Sequence, residues 1–185
     1  MKDNKLYKLT ITSLMAALCY VIFTFLQVKI PTPAGYTSFH LGNVFCVVAA
    51  LLIDGVSGGI AGAIGMGIAD VLDPVYVVTA PKTIILKFLI GYIAGFLAHK
   101  VFKIKEKSDY IKETVLSISG AMFFNVFAEP LFSYFYYNII LGNSDKAASY
   151  LTIAKWATTS VNAILTIIIG SLIYVAIRKR IKVKD

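Results

Sequence analysis

The chain has 185 residues, 58% of them hydrophobic and only 15% charged, with a formal net charge of +8. Soluble domains are about 45–50% apolar, so the excess excludes an ordinary water-soluble core, and the length leaves no room for a separate soluble domain. The basic surplus is not a nucleic-acid surface either, because the lysines and arginines stand at the ends of apolar runs, as topology signals do.

Lys2, Lys5 and Lys8 precede the first apolar run, LTITSLMAALCYVIFTFLQV. No small-residue cleavage site follows it, which predicts a retained first span over 8–28 rather than a removed leader. KIPTPAGYTSF (29–39) carries two prolines and a glycine and reads as an outer loop with a defined path. A short second span is expected over 41–54, with His40 and Asn43 at its opening. IDGVSGG then turns tightly into a third span, 56–73, which ends at Asp70 and Asp73. Gly55, Gly59, Ala63 and Gly67 recur every four residues, as do Gly58 and Gly62, and such faces allow close helix contact in lipid. The G-x-G-x-x pattern in this run lacks a preceding strand and a βαβ unit, so it is not read as a dinucleotide loop.

Span 4 is placed over 80–101, span 5 over 110–140 and span 6 over 153–177, all in one transmembrane domain, residues 1–185. Span 5 is long for a bilayer and should tilt, kink at Pro130 or protrude. The expected fold class is all-α: a polytopic membrane protein of six helices. With both termini in the cytoplasm, 13 of the 18 basic residues fall on the inner side.

Polar residues inside the spans converge on one depth, just below the outer surface. Thr83 and Lys87 lie in span 4, Asn125 and Glu129 in span 5, Trp156 and Asn162 in span 6, and His40, Asn43 and Asp70 near the outer ends of spans 2 and 3. An ionisable side chain in a span is expensive unless it faces a partner or a wet cavity. Asn125 and Glu129 are four apart and share a helix face. Glu129 and Lys87 either face a ligand or pair across spans 4 and 5. Asn162 can also be helix–helix glue, Trp156 and Tyr134, Tyr136 and Tyr137 an interfacial belt, and Asp70 an end cap. A cavity with aromatic walls, a few amides, one acid and one base suits a small, flat, polar heterocycle. Cys19 and Cys46 read as core residues, and no metal or cofactor motif is present.

Three stretches resemble a known family. They are SLMAALCYVIF, with Ser13 and Ala17 four apart and Ala16 beside them; FHLGNVFCVVAALLIDGVSGGIAGAIGMGIADVL; and APKTIILKFLIGYIAGFLAHK. Together they are similar to the substrate-binding S components of energy-coupling factor (ECF) transporters, vitamin importers of the bacterial cell membrane. The resemblance covers the whole chain and implies a subunit without catalysis of its own. Such a subunit captures a B vitamin outside and docks through Ser13, Ala16 and Ala17 onto a transmembrane coupling protein and two ATPases. The 29–39 loop would then be a lid. Within the family the pattern is closest to the pyridoxine, hydroxymethylpyrimidine and riboflavin branch. Hydrogen-bonding groups around a ring favour vitamin B6, with hydroxymethylpyrimidine or riboflavin as alternatives. A small membrane enzyme or a structural membrane protein are the competing classes. The first lacks a visible nucleophile–base or metal constellation, and the second leaves the buried polar residues unexplained.

Overall fold

The computed structural model describes residues 5–182, so Lys2 and Lys184 of the basic ends lie outside the described residues. In chain order it contains α1 (Lys5–Phe25), β1 (Gln27–Thr32), β2 (Gly35–His40), α2 (Gly42–Leu52), α3 (Gly55–Leu72), α4 (Ala80–Phe96), α5 (Ile111–Phe135) and α6 (Asp145–Lys182). Single π turns prolong α4 over Leu97–Val101 and α5 over Tyr136–Ile140.

Among the described residues, five helical stretches are long and apolar enough to cross a membrane, and α2 is not one of them. At 11 residues it rises about 16 Å, roughly half a bilayer core. The six expected helices are present, five of them long and the second, expected to be short, held at the centre of the others. Every residue of α2 except Phe45 and Leu52 is buried, against α1, α3, α4 and α6. The chain reaches it already inside the bundle, because Thr37, Ser38 and His40 of β2 are buried and the His40 ring stands edge-on to Phe23 of α1 at 4.7 Å. Basic groups meet its C-terminal carbonyls, the favourable sign there: His99 Nε2 donates to Ala50 O at 2.9 Å and Lys105 Nζ to Ile53 O at 3.0 Å.

Asp54 caps α3 by accepting the Ser57 N–H at 2.8 Å. Partial burial pulls the Asp54 carboxyl pKa up, but Ser57 and Lys8 outweigh it and hold the group below its ordinary value. Behind this cap α3 and α4 touch backbone to backbone. A Cβ on Gly59 would lie 2.7 Å from Phe88 O, and one on Gly91 would overlap the backbone of Gly58 and Gly59.

The 29–39 stretch, expected as a loop, is most of a β-hairpin over 27–40 that also takes the tail of the expected first span. Its antiparallel register runs from Gln27 opposite His40 to Thr32 opposite Gly35. Gly35 turns the chain at φ +152°, and a Cβ there would sit 2.9 Å from the Tyr137 ring. α5 runs unbroken through Pro130. α6 begins eight residues before the expected start of span 6 and, at 38 residues, is about 57 Å long.

Lys8 with Asp54 (3.4 Å), Lys105 with Ile53 O and Arg178 Nη2 with Lys107 O (3.4 Å) bring the start of α1 and the end of α6 to one end of the bundle. There the Arg178 guanidinium lies 3.8 Å from the Tyr110 ring. The hairpin and the α3–α4 and α5–α6 connections form the other end, joined by Lys29 to Asp73 (2.5 Å) and Tyr136 OH to Val78 O (2.7 Å).

Candidate functional site

Beneath the hairpin the helices enclose a cavity of about 50 Å³. β2 contributes Thr37, Ser38 and His40; α1 contributes Phe23, α2 Asn43 and α3 Asp70. Tyr76 and Thr79 precede α4, which adds Lys82, Thr83 and Lys87. α5 supplies Asn125 and Glu129, and α6 supplies Lys155, Thr158, Thr159 and Asn162. The residues recur at helical spacing, so each helix turns one polar stripe inward: 155, 158, 159 and 162 on α6, and 125 and 129 on α5.

Eight of the nine residues singled out from the sequence line this cavity: His40, Asn43, Asp70, Thr83, Lys87, Asn125, Glu129 and Asn162. Trp156 does not. One step along α6 from Lys155, it is 45% exposed and packs edge-on against Phe127 at 5.4 Å. The rings at the cavity are Phe23, Tyr76 and His40. Tyr137 is buried against the hairpin turn, while Tyr134 and Tyr136 pack beside it outside the cavity.

Of the two roles open to Glu129 and Lys87, pairing with each other is not what the structure shows, and Glu129 has other partners. Glu129 Oε1 accepts from Lys82 Nζ at 2.5 Å and from Lys155 Nζ at 3.1 Å, and Ser133 Oγ donates to it at 3.4 Å. One carboxylate thus joins α4, α5 and α6. Sequence reading passed over Lys82 and Lys155 because each stands near the predicted start of a span, where lysines usually reach for the interface. Their spacing to Thr83 and Asn162 was the available signal.

Asn162 is committed to the hairpin. Its Nδ2 donates to Ser38 O at 3.0 Å and its Oδ1 accepts from His40 N at 3.0 Å. Thr37 Oγ1 and Thr158 Oγ1 are 2.6 Å apart, and Tyr76 OH donates to Thr37 O at 3.3 Å. These bonds fasten β2 as a roof over the cavity.

Other wall groups have nothing to bond. His40 Nδ1, Asn43 Nδ2 and Oδ1, Asp70 Oδ1 and Asn125 Oδ1 are buried without a hydrogen-bond partner among the described residues. Buried polar atoms are nearly always paired, so a set of exceptions around one cavity needs an explanation. A bound polar molecule supplies one: several donors and acceptors are held in place and left open.

On the outside of the bundle, a groove between α1 and α3 is lined by Ser13, Ala16, Ala17, Ile60, Ile64 and Ile68, among others. Ser13 and Ala17 are exposed. Ala16 is buried, and a Cβ on Gly65 of α3 would run into its carbonyl oxygen, so Ala16 serves packing within the chain.

A family model described as "ECF-type riboflavin transporter, S component" matches residues 3–179. A solved structure described as "Structure and mechanism of the S component of a bacterial ECF transporter" superposes with a TM-score of 0.68, covering 97% of this chain and 99% of that one. At 17% identity this is a likeness of fold. A Pyrococcus woesei protein described as "Uncharacterized protein in gap 3'region" is 32% identical over 78 residues, 42% of this chain. That match spans about half of the curated relative, 51% of its length.

Proposed function

Because the chain belongs to the family of ECF-type riboflavin transporter S components, we propose that the cavity under the hairpin captures a B vitamin for an ATP-driven importer. The unpartnered polar atoms on its wall carry this reading. In it, the hairpin end faces outward and the basic end faces the cytoplasm of a bacterial cell. The β1–β2 hairpin is the lid, as the 29–39 stretch was expected to be. The exposed Ser13 and Ala17 offer the strip on which a transmembrane coupling protein seats, and two separate ATPase subunits supply the energy.

The vitamin we assign is a small polar ring of the vitamin B6 type. Of the wall residues only Phe23, Tyr76 and His40 carry rings; the others present amides, hydroxyls and charges. Such a wall matches a compact heterocycle with hydrogen-bonding substituents around its edge. Riboflavin is the second reading, favoured by the description of the matching family. Its tricyclic ring would need a wider cavity and hence movement of the hairpin. Hydroxymethylpyrimidine stands with the first reading on size.

A thermal-shift panel on the purified chain tests both. A ligand that binds only the folded state raises its melting temperature. Pyridoxine, pyridoxal or pyridoxamine should stabilise the protein at lower concentration than riboflavin. The reverse order overturns the vitamin assignment, and no response to any vitamin overturns capture.

A further inference from the structure

Three ammonium groups and two carboxylates face one buried cavity: Lys82, Lys87 and Lys155 against Glu129 and Asp70. Lys82 and Lys155 share Glu129. Lys87 is 5% exposed. Among the described residues its Nζ has no hydrogen-bond acceptor and no carboxylate oxygen within 4.0 Å. Asp70 keeps Oδ1 without a partner. With His40 neutral, the five ionisable side chains sum to a formal charge of +1. A buried charge without a partner is strongly unfavourable, and within a bilayer it marks a site whose partner comes from elsewhere.

We infer that the ligand supplies this missing charge: it carries an oxyanion that meets Lys87 and a hydrogen-bond donor that meets Asp70. The inference rests on reading the cavity as the capture site and names the chemical class of what is captured. A carboxylate, a phosphate or a ring phenolate satisfies it. Asn43 Nδ2, an unused donor lining the same cavity, is available as a second contact for such an oxygen. Asp70 Oδ1 favours an amine, hydroxyl or ring N–H elsewhere on the molecule. The recognised form is therefore bipolar, and the neutral isostere of the same ligand is discriminated against because it leaves Lys87 unpaired.

The test uses the purified full chain and Lys87→Met, which keeps the apolar stem and removes the charge. Without ligand, Lys87→Met should melt above the wild type, because an unpaired buried cation is gone. Binding is then compared for matched pairs: pyridoxal 5′-phosphate with pyridoxal, nicotinate with nicotinamide, and pantothenate with pantothenol. Pyridoxine is added at pH values on either side of its phenol ionisation. The wild type should prefer the anionic member of at least one pair by about tenfold or more, and Lys87→Met should lose that preference. The pair that responds separates phosphate, carboxylate and phenolate. Equal binding of charged and neutral members, or a preference unchanged in Lys87→Met, overturns the oxyanion while vitamin capture stands. A ligand-free Lys87→Met that melts below the wild type also overturns it, since Lys87 would then be held by the protein itself. Failure of every vitamin to bind sinks the capture reading, and the ligand-free comparison still decides the charge.

Discussion

Lys82 Nζ lies 2.5 Å from Glu129 Oε1, joining α4 to α5 at the buried wall of the cavity. Lys82, not Lys87, holds this place because the two lysines are five residues apart and so point about 140° away from each other around the helix. Lys155 completes the cluster from α6. Glu129 is thus spoken for twice, while Lys87 is left facing the cavity.

Removing the shared carboxylate should be costly. Glu129→Gln leaves two buried ammonium groups without their counter-charge, and breaking a buried pair costs about 3–5 kcal/mol. A lower midpoint in detergent-compatible denaturation is expected, together with a loss of vitamin affinity. Replacing all three members of the cluster, Lys82→Met and Lys155→Met with Glu129→Leu, should recover much of the stability but not the affinity. Full stability in Glu129→Gln alone would show that the cluster does not hold the helices together.

The hairpin should loosen when its clamp is removed. Asn162→Ala leaves the buried His40 N–H and Ser38 C=O unmatched, at about 1–3 kcal/mol for each orphaned group. The local signature is faster amide hydrogen exchange at His40, with α2 unaffected. If exchange there is unchanged, another contact carries the roof.

Gly91→Ala should be among the worst small substitutions in the chain. Its methyl would overlap the backbone of Gly58 and Gly59, which cannot swing aside as a side chain can. Overpacking costs about 1–3 kcal/mol, and more where backbone must move. Gly142→Ala is the control for space, since nothing lies within 4 Å of that site, although its φ of +67° disfavours alanine. A melting temperature for Gly91→Ala within a degree of wild type would contradict the contact.

Ala17→Trp should retain vitamin binding in detergent yet lose uptake in cells and co-purification with a coupling protein. The residue is exposed on the α1–α3 groove and is not among the residues that line the cavity. Loss of stability and binding together would mean that the strip packs inside the chain, as Ala16 does. Preserved uptake would remove this groove from consideration as the docking surface.

Orientation is checked by labelling. Cys19 and Cys46 are both buried, so engineered thiols report cleanly. Ser144→Cys, at the hairpin end, should react with an impermeant reagent on intact cells, and Lys107→Cys, at the basic end, should be protected. The opposite pattern inverts the topology.

Most of the helices were legible because apolar runs of bilayer length leave few alternatives, and the cavity was legible because polar residues inside such runs are rare. Glu129, Asn125 and Lys87 could be placed at one depth by counting residues from span ends. The hairpin was not legible: Pro31 sits within β1, and proline usually argues against a strand. It is tolerated here opposite Tyr36 in a two-stranded hairpin, which has no further neighbour to bond. α2 was read as a short span, but its burial among four other helices was not legible, because hydropathy counts apolar residues without telling lipid from protein as their surroundings. The roles of Lys82 and Lys155 depended on where α4 and α6 begin. The early start of α6 put Lys155 well inside a helix rather than at its rim, and Trp156, about 100° further round, outside the cavity.

The glycine seam between α3 and α4 also limits how this chain can change. Because the two backbones touch, the spacing between Asp70 and the cavity lysines of α4 is set by the absence of side chains, and no substitution can narrow it. Widening it would mean adding atoms to Gly59 or Gly91, where there is no space for them. The adaptable walls are the others: the hairpin, α5 and α6, whose cavity residues stand on ordinary helix faces and strand positions. A library built to retune what the cavity accepts belongs at Thr37, Ser38, Asn125, Thr158 and Thr159, with the back of the bundle left untouched.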